Sequence, residues 1–153
     1  MDVVNAFMFY INKAEVLREV AKTTSYTGAK MKEDDAYERI FTTRDDEEML
    51  ERYWDESKSA ACNILKEFVI GYNEIDNALF ALNLKFSKSF DKNLLESMRA
   101  SLFSFFVMSI TAKWFTMSNK EEAEGYAATA AAHLEDFMRK AYYKKKPTRP
   151  IIK

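Results

Sequence analysis

Residues 79–90 read LFALNLKFSKSF. Phe80, Leu82, Leu84 and Phe86 alternate with Ala81, Asn83, Lys85 and Ser87. A period of two puts apolar side chains on one side of an extended chain, so the sequence predicts a β-strand over about 79–86. A lone strand leaves a row of backbone donors and acceptors unpaired. The run around Val69–Tyr72, a segment of the tail, or a neighbouring copy can serve as its partner. No other segment alternates as clearly. Phe80, Leu82, Leu84 and Phe86 are therefore expected against an apolar surface and are candidate intersubunit residues.

The rest of the chain reads as helix. Only 3 glycines and 2 prolines interrupt 153 residues, which favours long helices. Upstream, Val3, Phe7, Tyr10, Ala14, Leu17 and Ala21 fall on one helical stripe, predicting a helix from about Asp2 to Thr24. The stretch TTSYTGAK stops it, with weak helix formers and then Gly28. Residues 29–44 are polar and read as a loop, with a short helical turn around Tyr37–Phe41. A second helix begins near Thr43–Asp45, with acids opposing the helix dipole in its first turn. Met49, Tyr53, Ala60, Ile64 and Phe68 form its stripe, Leu50, Trp54, Ala61 and Leu65 lie beside them, and Gly71 ends it.

Downstream, Ser89 or Asp91 caps a third helix over about Lys92–Thr116. It is apolar on several faces, so it is either central to a core or covered by another subunit. Ser118 and Glu121 fit a capping box that opens a fourth helix. Ala123, Tyr126, Ala130, Phe137 and Ala141 form its stripe, and its alanine-rich middle permits close approach of a neighbour. The expected fold class is mainly α: about four helices in a bundle, one short β element at about 79–86, and an extended C-terminal arm. The expected division is a helical domain over 1–143 and an arm over 144–153.

Length and composition fit one globular domain with a real core, 48% hydrophobic and 31% charged. A single cysteine, Cys62, excludes an internal disulfide framework and fits a reducing compartment. No basic region precedes an apolar stretch near Asp2, so no secretory leader is expected. The most apolar stretch, ASLFSFFVMSITA, has 13 residues between Arg99 and Lys113. A bilayer needs about 20, so no membrane partner is expected.

The near-neutral net charge hides an asymmetry. Residues 139–153 carry seven cations and no acid; subtracting them from the 23 in the chain leaves 16 against 24 acids, a net of −8. Residues 33–56 alone hold 11 acids and three arginines. An acidic body with a basic tail suits association between copies or docking on a charged partner.

Little in the sequence suggests catalysis. One histidine, His133, cannot form a histidine cluster, and it lacks the Glu-x-x-His spacing of di-iron bundles. Cys62 sits in a helical pattern as a core residue would. Glycines at 28, 71 and 125 are too dispersed for a phosphate loop. Glu48 and Glu51 make an E-x-x-E of the kind that holds magnesium in all-helical nucleotide pyrophosphatases. The second acidic pair of that family is missing, because Ile70 follows Glu67 and Asn77 follows Glu74 at plus three. A solvated helix face explains the pair, and no catalytic, cofactor or metal residue is nominated. Lys144, Lys145 and Lys146 with Arg149 can grip phosphates, but a short patch on an acidic body favours a protein partner.

The order of parts resembles the head–tail connector, or adaptor, proteins of tailed bacteriophages and prophages. The matching features are the long helix ending TAKWFTMSNKEEAEGY, the amphipathic helix that follows, and the basic arm YYKKKPTRPIIK. The likeness covers about residues 45–153 and rests on arrangement rather than on a diagnostic motif. It implies a structural virion protein, not an enzyme and without cofactors, located in the neck or tail and assembled in the host cytoplasm. It further implies a homo-oligomeric ring below the portal, contacts with portal and other neck or tail proteins, and DNA at most passing through the lumen. The arm residues Lys144, Lys145, Lys146, Pro147, Arg149, Pro150, Ile151 and Ile152 are then the partner-binding set. Two other readings remain: a soluble helical regulatory or chaperone-like protein, and a metal-dependent all-α nucleotide pyrophosphatase.

Overall fold

The computed structural model describes residues 5–30 and 44–144, without the side chains of 25–30 and 44–45. The sequence-predicted loop 29–44 lies almost wholly outside the described residues, and so does the arm beyond Lys144.

The elements are β1 (Asn5–Asn12), α1 (Lys13–Lys30), α2 (Arg44–Ile64), β2 (Val69–Ile75), β3 (Leu79–Phe86), a 3₁₀ turn (Lys92–Leu94), α3 (Leu95–Phe115) and α4 (Lys120–Ala141). The three strands form one antiparallel sheet in the order β1–β3–β2. The fold is therefore mixed α and β, not mainly α with one short β element.

The strand at 79–86 is present and is the middle of the sheet. It pairs on one side with β2 and on the other with β1. Phe80, Leu82, Leu84 and Phe86 are buried in the chain's own core, so these side chains are taken up within one copy rather than presented to another. The β2–β3 connection is tight: Asp76 and Asn77 adopt positive φ of 52° and 54°, and Ala78 N–H donates to Ile75 O at 3.0 Å. Asp and Asn are the non-glycine residues that best tolerate that region. A bulge at Val69–Gly71 shifts the register.

The expected N-terminal helix is the main correction. Residues 5–12 are strand, with Phe7, Phe9 and Ile11 opposite Leu84, Leu82 and Phe80. Phe7 and Tyr10, one helical stripe on paper, lie on opposite faces of the sheet. The sequence NAFMFYIN is apolar on nearly every position, so periodicity there cannot separate helix from strand. The helix starts where Asn12 caps it: Asn12 Oδ1 accepts from Glu15 N–H at 3.1 Å. Its inward side is Val16, Val20 and Thr24; of the expected stripe Leu17 is partly buried against the core and Ala14 is exposed, and its backbone continues through Gly28 to Lys30.

Two other boundaries move. Helix α2 ends at Ile64, freeing 69–75 for the sheet, and its buried side is Leu50, Trp54, Ser57 and Ala61. Helix α4 is capped by Asn119, whose side chain accepts from Glu122 N–H at 3.2 Å, one residue past the Ser118–Glu121 expectation. Asp91 caps the turn ahead of α3, accepting from Asn93 N–H at 3.1 Å.

Helix α3 is the hub. By length and composition alone, Lys92–Phe115 is long and apolar enough to cross a membrane. In the fold it packs against α1, α2, α4 and β1. The helices cover one face of the sheet through contacts such as Phe9 on Phe137 (5.3 Å between ring centroids), Trp54 on Phe106 (5.1 Å) and Phe80 on Phe106 (5.9 Å). The other face carries Ala6, Met8, Tyr10, Asn73 and Lys85, all exposed. A two-layer arrangement of this kind needs only one apolar sheet face.

Candidate docking surfaces

Helix α4 runs antiparallel to α3 along one flank, and α2 takes another. Ser101 Oγ donates to Asp136 at 2.8 Å near one end of the pair, and the short turn at 116–119 closes the other. A groove of about 710 Å³ remains between α2 and α4, with α3 as its floor. Phe105, Ser109, Ala112 and Thr116 line the floor, and Ala127, Ala130, Ala131 and Leu134 form the α4 wall. Alanine explains the groove: single methyl groups along the α4 wall leave unfilled the space that longer side chains would occupy. Ile64 forms the α2 rim and remains 46% exposed. The groove is predominantly apolar, with Glu124 and Glu135 on the α4 rim and Lys113 and Lys120 at the turn end. Lys113 is already neutralised by Glu56 at 3.1 Å.

At the opposite end of the groove the chain leaves the body through a fixed exit. Tyr142 packs its ring on Phe68 (5.2 Å) and bonds its hydroxyl to the Glu67 carboxylate. That bond to an anion pushes the Tyr142 phenol pKa up. Asp91 N–H donates to Tyr143 O at 3.3 Å, and Lys144 forms a β-bridge with Phe90. Lys144 is the one expected partner-binding residue among those described, and it is exposed. Lys145, Lys146, Pro147, Arg149, Pro150, Ile151 and Ile152 lie outside the described residues.

The acidic face of α2 is engaged in internal pairs. Glu51, half of the Glu48–Glu51 pair, accepts from Lys13 Nζ at 2.8 Å. Glu56 is held between Lys113 and Arg52, whose hydrogen bonds pull its carboxyl below the ordinary value. Deeper between α2 and β2, Lys58 meets Glu74 and also Asp55 at 3.0 Å. Burial works against the Lys58 charge, but the two carboxylates outweigh it and raise its pKa. Burial likewise opposes the Glu74 charge, and bonds from Lys58 and Trp54 outweigh it in turn, so Glu74 titrates low. Both shifts favour the ionised pair.

Cys62 lines a small cavity beside this network. Burial raises its thiol pKa, while the Lys58 cation partly offsets that. Among the described residues no three His, Cys, Asp or Glu side chains cluster to hold a metal ion. The arrangement among the described residues is therefore one of structural ion pairs beside an apolar groove. The sequence reading missed the groove. The signal available for it was the run of alanines at 127, 128 and 130–132, too many small residues for one buried stripe. No family model, curated protein or solved structure matches the chain.

Proposed function

We propose that the chain is a structural assembly protein of the head–tail connector type. In this reading it joins a ring below a phage portal and docks through residues 144–152. The observation that carries the reading is the fixed exit at Tyr142–Lys144. The body ends in a backbone bridge to Phe90 and a side-chain bond to Glu67. Beyond it the sequence supplies cations, two prolines and two adjacent isoleucines. A short arm launched from a rigid root spreads contact over a neighbour without a core of its own, and prolines reduce the entropy lost on ordering it. The open sheet face and the acidic α2 surface supply further area for contact between copies.

The pyrophosphatase reading loses support from the geometry, because Glu51 is bonded to Lys13 and the fold contains a sheet. The regulatory or chaperone-like reading is separated by size. Native mass spectrometry and electron microscopy of the full chain, alone and with the portal protein of the same virus, test the proposal. A ring, or a defined complex with the portal, is the expected result. A chain that stays monomeric or dimeric and ignores the portal overturns it.

A further inference from the structure

Strand β2 is an outer strand with no further strand on its free side among the described residues, and we infer that this edge is a contact with a second copy of the chain. The two β2 strands pair antiparallel across a two-fold axis and join the two sheets into one of six strands.

The edge lacks the usual guards. Natural edge strands are blunted by lysine, proline or a bulge. Strand β2 reads VIGYNEI and holds neither lysine nor proline. Its bulge lies at Val69–Gly71, so Tyr72–Ile75 is regular. Its one charge, Glu74, is turned toward Trp54 and Lys58 of α2. Ile70, Tyr72 and Ile75 are exposed.

Tyr72 sets this edge apart from the edge at β1. Phe9 and Tyr72 flank the same residue, Leu82, from the two sides. Both side chains therefore project toward the helices. Phe9 is fully buried, whereas Tyr72 is 68% exposed, with only one flank against Phe80 at 6.4 Å. The helices reach over β1 and stop short of β2. A strand added at β2 covers what they leave open.

Charge selects a second copy and sets its direction. Lys66 precedes the strand and Asp76 follows it, both exposed, and neither has an ion-pair partner among the described residues. Glu67, next to Lys66, is taken up by Tyr142. Antiparallel pairing brings the Asp76 turn of each copy beside the Lys66 turn of the other, twice over. Parallel pairing would set like charges together at both ends. Centred on Tyr72, the antiparallel register places the two Tyr72 rings opposite each other, a favourable cross-strand pair. Centred on Glu74, it would oppose two carboxylates. An isologous contact needs a patch that complements itself, and this edge does so in both charge and side chain. The pairing needs no portal and does not rest on the connector reading.

Sedimentation velocity and hydrogen exchange of the full chain alone, over a concentration series, test it. A monomer–dimer equilibrium is expected, with the outward-facing β2 amides slowing only as dimer forms. Tyr72→Lys opposes two cations on the edge and should weaken the dimer at least about tenfold. Lys66→Glu, exposed and outside the strand, should weaken it while leaving the hairpin intact. Met8→Lys, on the open sheet face of β1, should leave the dimer unchanged. A chain that stays monomeric overturns the inference and leaves the edge to a strand of another protein. Outward-facing β2 amides already slow in the dilute monomer overturn it by giving the edge to the chain's own residues. A dimer that survives both Tyr72→Lys and Lys66→Glu, or is lost in Met8→Lys alone, overturns it by moving the contact elsewhere. A dimer and a ring differ in mass, so this inference and the connector reading fail separately.

Discussion

Trp54 Nε1 donates to Glu74 Oε1 across 3.0 Å, and Lys58, one turn along α2, holds the other oxygen of that carboxylate. One acid on an outer strand thus fastens the sheet to α2 through an indole and an ammonium group. The indole is fully buried and its ring also meets Phe80 and Phe106. Trp54→Phe keeps most of the packing and removes the donor. It should cost about 1 kcal/mol, the net worth of one hydrogen bond, because the Glu74 carboxylate is 24% exposed and keeps Lys58. Trp54→Ala should cost more, about 3–5 kcal/mol. Denaturant unfolding measures both, and a Trp54→Phe protein as stable as the parent would show that the bond contributes nothing net.

Three separately paired carboxylates set a pH dependence. The carboxyls of Glu74, Glu56 and Asp136 all titrate below their ordinary values. A lowered folded-state pKa means the folded form holds its proton less tightly than the unfolded form. The stabilisation is therefore fully present above the ordinary glutamate value of 4.5 and is lost as pH falls through the folded-state value. Unfolding midpoints should be flat from pH 7 to about 5 and drop below that. Glu74→Gln should lower stability at pH 7 and flatten the acid drop. An unchanged acid slope in that variant would remove Glu74 from the cause.

Strand β1 shows where the sequence could be read and where it could not. The alternation in 79–86 is legible because Asn83 and Lys85 are polar on the face that the helices do not cover. Strand β1 has Ala6, Met8 and Tyr10 on that same open face, so its two sides look alike and a helical stripe can be drawn through them. The cap signal was present but passed over: Asn12 followed three residues later by Glu15 marks a helix start at 13, and the stripe drawn from Asp2 ran through it. The groove was legible only as an excess of alanine in α4; where it lies depends on which helix flanks which, and no local pattern encodes that. Phe9→Ala should cost about 3–5 kcal/mol, since its ring is fully buried. Tyr10→Ala, half exposed on the other face, should change stability by about 0.5 kcal/mol or less. Similar losses for both would contradict the strand.

Cys62 offers a chemical check on the α2–β2 cavity. Its thiol is half-buried and burial raises its pKa. Alkylation at pH 7 should be slower than for a free thiol and should accelerate as pH rises beyond the ordinary range, because the thiolate is the nucleophile. Lys58→Met removes the cation that lowers this pKa, so reaction at a fixed pH should slow further. A faster reaction in that variant would mean that Lys58 acts mainly by packing over the cavity.

The arm gives the last test, and its two components can be separated. Ending the chain at Lys144 keeps the bridge to Phe90 and the bond between Tyr143 O and Asp91. Far-ultraviolet circular dichroism should therefore be nearly unchanged, while binding to a ring partner should fall sharply. Ile151→Ala with Ile152→Ala probes the apolar part. Full burial of each isoleucine is worth about 1.5–3 kcal/mol, reduced by about 0.5–1.5 kcal/mol per ordered side chain. Even the remainder shifts affinity by an order of magnitude or more, since about 1.4 kcal/mol is tenfold. Lys145→Gln with Lys146→Gln probes the charged part, which should weaken between 0.05 and 0.5 M salt, as the Debye length falls below about 10 Å. The isoleucine contribution should not weaken over that range. A truncated chain that assembles as well as the full one, in low and high salt alike, would leave the arm without a docking role.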